Sequence, residues 1–317
     1  MGTETGTGAG TGTGGEGLVD RARARVFGEV AELYDASRPG YADALVARVL
    51  EYAEPGERPA LEVGAGTGKA TVAFAEAGTA LVCVEPDPRM AEVLRRNTAR
   101  FPRVRVEAGG FEEWRRDGRR FGLLYAATSW HWLDPGRRLD LAREALDPGG
   151  ALALFWNPQG VRDPRLHAAL ALVDARHGIT GAPHGELASS YGRTPGDWAG
   201  MPGWPAAECR ADGGLTDLHE VRFREDRYYD TDRYLGYLAS LSRYRVLAPD
   251  HRERVLADTA GVLDAHGGGI AMDHFSDLLL ARTLRPAGTS RPARASRTAP
   301  PARDAVSYSC DATPVGR

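Results

Sequence analysis

The chain has 317 residues, a formal net charge of −3 and 42% hydrophobic residues, enough apolar material for one large domain with insertions or two small ones. Acids and bases nearly balance, so bulk electrostatics give no reason to expect nucleic acid as a partner. Cys83, Cys209 and Cys310 are too few and too scattered for a disulfide framework or a zinc pattern, and no run reads as a membrane span or a signal peptide. The expectation is a cytoplasmic protein, monomer or homodimer, with no metal and no membrane partner.

Residues 1–17 are almost entirely Gly and Thr with a little Glu. They offer no apolar surface to bury and read as a disordered tail. Residues 18–37 read as a helix, with Val19, Val26, Phe27, Val30, Leu33 and Tyr34 as a rough apolar stripe. It stops at Arg38-Pro39-Gly40, because proline disfavours a helical residue before it. A second helix is expected over 41–52.

The most informative stretch is Ala60-Leu61-Glu62-Val63-Gly64-Ala65-Gly66-Thr67-Gly68-Lys69-Ala70-Thr71. A short apolar run holding one acid breaks into three glycines at alternate positions and continues as a helix over 70–77. Strand, tight turn and helix N-terminus is the simplest reading. Glycines remove Cβ where backbone would approach a ligand, and they permit positive φ in the turn. The helix start adds free N–H groups. A second apolar run, Leu81-Val82-Cys83-Val84, ends in Glu85-Pro86-Asp87, and Glu85 lies 17 residues after Gly68, the right spacing for a helix and return. The dinucleotide fingerprint is G-x-G-x-x-G, whereas this turn is G-x-G-x-G.

That turn, with Glu62 before it and Glu85 after it, resembles motif I of the class I S-adenosylmethionine (SAM)-dependent methyltransferases. The segment Tyr34-Asp35-Ala36-Ser37-Arg38-Pro39-Gly40-Tyr41 resembles the lid segment of small-molecule members of that family, of the methyltransferase type 11 and trans-aconitate methyltransferase kind. The resemblance implies that Gly64, Ala65, Gly66, Gly68 and Pro86 lie around SAM, with Glu62 near its amino group and Glu85 on the ribose hydroxyls. It implies that Tyr34 and Arg38 close over the cofactor. Arg38 is then a partner for the SAM carboxylate, or alternatively a solvated turn residue beside packed tyrosines.

A helix over 89–100 and a strand at 104–106 follow. After that strand the family commonly has Gly-Asp, whose acid binds adenine. Here Gly110 stands in its place, so the acid is missing or displaced to Glu112, leaving backbone at Gly110 and Phe111 to read adenine. Residues 121–127 are a fourth strand, with Ala126 near its end, running into Thr128-Ser129-Trp130-His131-Trp132-Leu133-Asp134-Pro135. Ligands of open α/β sheets sit at the carboxyl ends of strands, and the family implies that this stretch lies at the reaction centre. Trp130, Trp132 and Tyr41 are then candidate substrate walls. His131 is a candidate general base, or else it simply begins a helix and hydrogen-bonds there. A helix over 135–145, the turn Asp147-Pro148-Gly149-Gly150 and a fifth strand over 151–156 complete the resemblance, which runs from about residue 18 to 157.

Beyond Asn157 the pattern is less explicit. A helix starts near Leu166. Residues 177–214 are rich in Gly, Pro and Trp without a period, and a loop of that length is usually functional. It is assigned to the substrate pocket, with His184, Tyr191, Trp198, Met201 and Trp204 as lining or as core cover. A strand over 218–229, helices over 231–241 and 250–266 and a last strand over 272–284 follow. Residues 286–317, rich in Pro, Ser, Thr, Ala and Arg, read as a disordered basic tail.

The expected fold is α/β, a Rossmann-like doubly wound seven-stranded sheet, mostly parallel with one antiparallel strand, carrying an N-terminal helical lid and a cap insertion. The expected division is 1–17 tail, 18–157 SAM-binding core with lid, 158–285 cap with the last strands, and 286–317 tail. The function implied is methyl transfer from SAM, leaving S-adenosylhomocysteine, to an O, N or C nucleophile of a small organic acceptor such as a carboxylate or a secondary metabolite. Three alternatives remain: a cyclase-like enzyme using the same pocket, an NAD-type oxidoreductase, and a non-catalytic SAM-binding regulator.

Overall fold

The computed structural model describes residues 31–181, 183–191 and 204–285, together with the backbone of 306–309. The expectations for 1–17, for most of 286–317, for the start of the first helix, and for Trp198, Met201 and Cys310 lie outside the described residues.

The first helix is described from Ala31 to Ser37 (α1), followed by α2 (Asp43–Ala53). Strands β1 (Ala60–Val63), β2 (Leu81–Glu85), β3 (Val104–Ala108), β4 (Phe121–Ala127) and β5 (Leu146–Trp156) alternate with α3 (Lys69–Glu76), α4 (Pro88–Thr98) and α5 (Arg138–Ala145). Local chemistry sets these boundaries. Pro88 stands at the start of α4, where its missing N–H costs nothing, and the Asp87 side chain accepts from the N–H groups of Arg89 and Met90. The helix α6 (Pro164–His177) repeats the device with Asp163 and Pro164 and ends at Gly178 in the left-handed conformation.

The sheet runs β10-β8-β9-β5-β4-β1-β2-β3, where β8 is Leu215–Asp230, β9 is Gly269–Thr283 and β10 is Val306–Ser309. β1 to β5 pair in parallel, and β9 is antiparallel to both β5 and β8. The expected seven strands with one reversed are therefore present. β10 adds an antiparallel edge on β8, and the short β6 (Gln159–Val161) and β7 (Glu186–Leu187) hang beside β9. The turn expected before the fifth strand sits inside β5. Leu146 pairs with Phe121 and pairing resumes at Ala151 with Leu123, so 147–150 are looped out, with Gly149 at φ 77°.

Both faces of the sheet are covered, as parallel strands require. On one face Leu45, Val49 and Phe74 from α2 and α3 pack on Cys83, Leu123, Tyr125 and Phe155. On the other, α5 and α7 (Ala206–Ala211) pack on Leu61, Val63, Leu124 and Leu154. Each fully buried side chain of this size contributes roughly 1.5–3 kcal/mol. A separate apolar cluster joins α6, α8 (Thr231–Ala239), α9 (Ser242–Arg245) and α10 (Pro249–Ala265) to the far ends of β8 and β9. Residues 206–211, expected as loop, form α7, whose Ala206 and Cys209 are fully buried. The absence of a repeating apolar period before it hid this short helix.

Candidate functional site

A cavity of about 780 Å³ lies over the carboxyl ends of β1, β2 and β4. Strands deliver the floor and loops the walls, as open α/β sheets dictate. Glu62, Gly64, Ala65, Gly66 and Thr67 line it after β1, and Glu85 and Pro86 line it after β2. Gly110, Phe111 and Glu112 line it beyond β3, and Thr128, His131, Trp132 and Asp134 beyond β4, while Tyr34, Arg38 and Tyr41 line it from the N-terminal segment.

The glycines differ in role. Gly64 and Gly66 take φ of 67° and 58°, which L side chains rarely adopt. A Cβ on Gly64 would stand 2.6 Å from Ser129 Cβ, whereas one on Gly66 would meet nothing within 4 Å. Gly68, expected at the cofactor, is not among the lining residues; its Cβ would stand 2.6 Å from Leu94 Cδ1. It permits α3 to pack on α4.

Two buried acids sit in the floor. Glu62 Oε2 accepts from Thr71 Oγ1 at 2.6 Å and from the Tyr125 hydroxyl at 2.9 Å, while Oε1 is buried without a hydrogen-bond partner. Burial pushes the Glu62 carboxyl up to about 7, against the pull of Thr71, Tyr125 and Cys83. Glu85 Oε2 accepts from Gly66 N–H at 2.7 Å and Oε1 from Asp87 N–H at 2.9 Å. Burial raises it to about 7 as well, opposed by those two N–H groups.

The lid side contributes charge and aromatic surface. The Arg38 guanidinium lies 5.2 Å from the ring centroids of both Tyr34 and Tyr237, and its Nε is buried with no hydrogen-bond partner. Arg38 is thus a half-buried residue of the cavity wall. The Tyr41 hydroxyl lies 3.0 Å from Thr128 Oγ1, and burial raises its pKa well above the ordinary phenol range. Thr128 takes φ 54°, an outlier for a β-branched residue.

The stretch after β4 divides. His131 and Trp132 line the cavity, their rings 4.6 Å apart, and Trp156 Nε1 donates to His131 Nδ1 at 3.3 Å. Trp130, expected as a substrate wall, is fully buried in the opposite-face core, with its Nε1 donating to Glu208 at 2.8 Å. A 3-10 turn over Trp130–Trp132 sends alternate tryptophans to different sides. Ala126, expected at the cofactor, is likewise fully buried on that face. Alternation along β4 turns its neighbour Tyr125 toward Glu62 instead.

The expected acid after β3 is displaced. Glu112 lines the cavity and accepts from Asp134 N–H at 3.0 Å. His184, Tyr191 and Trp204 do not line the cavity. His184 Nδ1 lies 2.9 Å from the Tyr234 hydroxyl, Tyr191 donates to the Gln159 carbonyl at 2.9 Å, and Trp204 Nε1 donates to Glu220 at 2.8 Å. They cover the core. Thr128, Asp134 and Met90 line the cavity with no role foreseen for them; the position of Thr128 directly after a parallel strand was the available signal. Among the described residues no group of His, Cys, Asp and Glu is arranged to hold a metal, and no helix is long and apolar enough to cross a membrane.

Residues 60–150 match the family model of a methyltransferase domain. Uncharacterized methyltransferases of Mycobacterium tuberculosis and Mycobacterium bovis are 37% identical over 140 residues, which is 44% of this chain and 54% of theirs; the chain spans about half the length of the curated relatives it matches. A solved structure from Anaeromyxobacter dehalogenans, named only as a candidate type II methyltransferase, superposes with a TM-score of 0.56 at 24% identity, covering 78% of this chain and 99% of that one. At that identity the likeness speaks for the fold. The match makes residues 60–150 a methyltransferase domain, and the parallel sheet with its glycine turn between β1 and α3 is the Rossmann-like fold of the structural neighbour.

Proposed function

We propose that this chain transfers the methyl group of SAM to a small organic acceptor held in the cavity over β1, β2 and β4. The observation that carries the reading is Glu62 Oε1, a buried carboxylate oxygen without a partner on the rim of the glycine turn. A buried acid oxygen in that state costs free energy until a donor meets it, and an α-ammonium group is a donor of the right charge. The open space over Gly66 suits close approach of a ligand to backbone.

Residue by residue, Glu62 would hold the ammonium and Arg38 the carboxylate of SAM. Glu85 has lone pairs left beyond its two N–H partners for the ribose hydroxyls. Backbone at Gly110 and Phe111, with the displaced Glu112, would flank adenine. When bound, SAM supplies an electrophilic methyl on a sulfonium whose departure leaves a neutral thioether. The chain's own share is chiefly positioning. Tyr41, Thr128 and Trp132 would wall the acceptor and exclude water. His131 accepts from Trp156 at Nδ1, so its neutral ring carries the proton at Nε2; it would donate to the acceptor rather than remove a proton from it.

The test is mass spectrometry of small-acceptor pools incubated with the protein and methyl-labelled SAM. The proposal expects S-adenosylhomocysteine and a labelled acceptor in equal amounts. SAM binding with neither product, over broad pools, would favour a regulator. A product without S-adenosylhomocysteine would favour cyclase-like chemistry.

A further inference from the structure

Cys83, Glu62 and Tyr125 stand in one row across three strands. Glu62 pairs in register with Cys83 on β2 and with Tyr125 on β4, and parallel register puts their side chains on one face. Tyr125 is fully buried and does not line the cavity; Glu62 does. The Tyr125 ring is stacked on Phe74 at 4.3 Å and on Phe155 at 5.9 Å, so packing fixes where its hydroxyl points. That hydroxyl and Thr71 Oγ1 both donate to Glu62 Oε2, and Cys83 Sγ lies 3.6 Å from the same oxygen. Every donor found on Glu62 is therefore gathered on one oxygen.

We infer that Tyr125 is a positioning residue of the cofactor site: with Thr71 it occupies one oxygen of Glu62 and leaves the other for the cofactor's ammonium group. The inference rests on the reading of the cavity as a SAM site. Its physical consequence is a proton linkage. Hydrogen bonds to Oε2 favour the ionised carboxylate, while burial favours the acid and holds the group at about 7. The titratable groups around Glu62 are Cys83 and Glu85 on β2, Tyr125 on β4 and Tyr41 before α2; Thr71 on α3 is a neutral donor. No lysine or arginine among the described residues forms an ion pair with Glu62. Binding of a cation at Oε1 therefore releases the Glu62 proton to solvent on the acid side of neutrality. On the alkaline side the limit is the cofactor's own amino group, near 8 for an α-amine.

The experiment is calorimetric titration of the full chain with SAM and with S-adenosylhomocysteine from pH 5.5 to 8. Wild type should lose affinity as pH falls below about 7. Tyr125→Phe keeps the aromatic stack and removes one donor, so the acid limb should move up by roughly one pH unit, about a ten-fold loss of affinity at pH 6.5 with little change at pH 8. Thr71→Val, which leaves the stack untouched, should move it the same way. Glu62→Gln should flatten the limb, leaving only what Glu85 contributes. A limb unmoved in both donor variants, in proteins that still bind SAM and melt cooperatively, overturns the positioning role and leaves the cofactor reading standing. Wild type that binds neither ligand at any pH overturns both.

Discussion

Glu85 Oε2 and the backbone N–H of Gly66 are 2.7 Å apart, so the tip of β2 is tied to the middle of the glycine turn. A short strand ending in an acid and a loop of three glycines are held as one floor. Gly64 N–H also donates to the Val84 carbonyl at 2.8 Å, which fixes the other side of the same turn. The site is thus set by backbone before any lid residue reaches it.

The free protein should pay for its two buried acids as pH rises. Glu62 and Glu85 have folded values of about 7 against an ordinary value of 4.5. A raised folded pKa gives stability that is complete below the unfolded value and is lost as pH rises through the folded one. The expected result is that the melting temperature of Glu62→Gln, relative to wild type, rises between pH 5 and pH 8 in the absence of ligand. The comparison removes groups common to both proteins, such as His274, which burial holds down at about 4 and which acts in the opposite direction. A pH-independent difference would contradict the assignment.

Thr128 is strained where it stands. Its φ of 54° costs roughly 1–3 kcal/mol for a β-branched residue, and Asn tolerates that region far better. Thr128→Asn should raise the melting temperature by a few degrees without raising turnover, since Thr128 Oγ1 is the partner of the Tyr41 hydroxyl. A fall in melting temperature would mean that the strain is not there to relieve.

His131 should prove dispensable as a base. General bases are worth about 10²–10⁴-fold in rate. With Trp156 donating to its Nδ1, His131→Gln should keep methyl transfer within about ten-fold of wild type and raise the KM for the acceptor more than it lowers kcat. A drop of a hundred-fold or more in kcat, recovered at high pH, would restore the base.

The outline of the fold was legible because its signals are local. Alternate glycines between an apolar run and a helix, and acids at the tips of the first two strands, need no tertiary information. What failed was side-chain direction. Trp130 and Trp132 look equivalent in sequence, yet a 3-10 turn buries one and leaves the other at the cavity. Ala126 faces the core and Tyr125 faces Glu62 because the parity of β4 depends on its register with β1, which no spacing records. Gly68 resembles its two neighbours in the motif, but Leu94 from another helix decides its use. The aromatic residues of 177–214 carry no period, so nothing in their order separates core cover from pocket wall.

Trp130 therefore offers a clean separation of stability from binding. Trp130→Phe loses the bond to Glu208 and part of a fully buried ring, a cost of about 2–3 kcal/mol. SAM affinity, measured well below the lowered melting temperature, should stay within two- to three-fold of wild type. A large loss of affinity would return Trp130 to the site.

Every role proposed for these residues depends on SAM binding in the cavity over the glycine turn. The most direct measurement is thermal melting of wild type and Gly66→Val with SAM, S-adenosylhomocysteine, NAD and NADP. A ligand at about a hundred times its Kd adds roughly 2.7 kcal/mol, a shift of several degrees. That shift is expected with SAM and S-adenosylhomocysteine alone, and is lost in Gly66→Val, whose side chain enters the open space above Gly66. A shift with a nicotinamide dinucleotide alone, or none with SAM, would contradict SAM binding in that cavity.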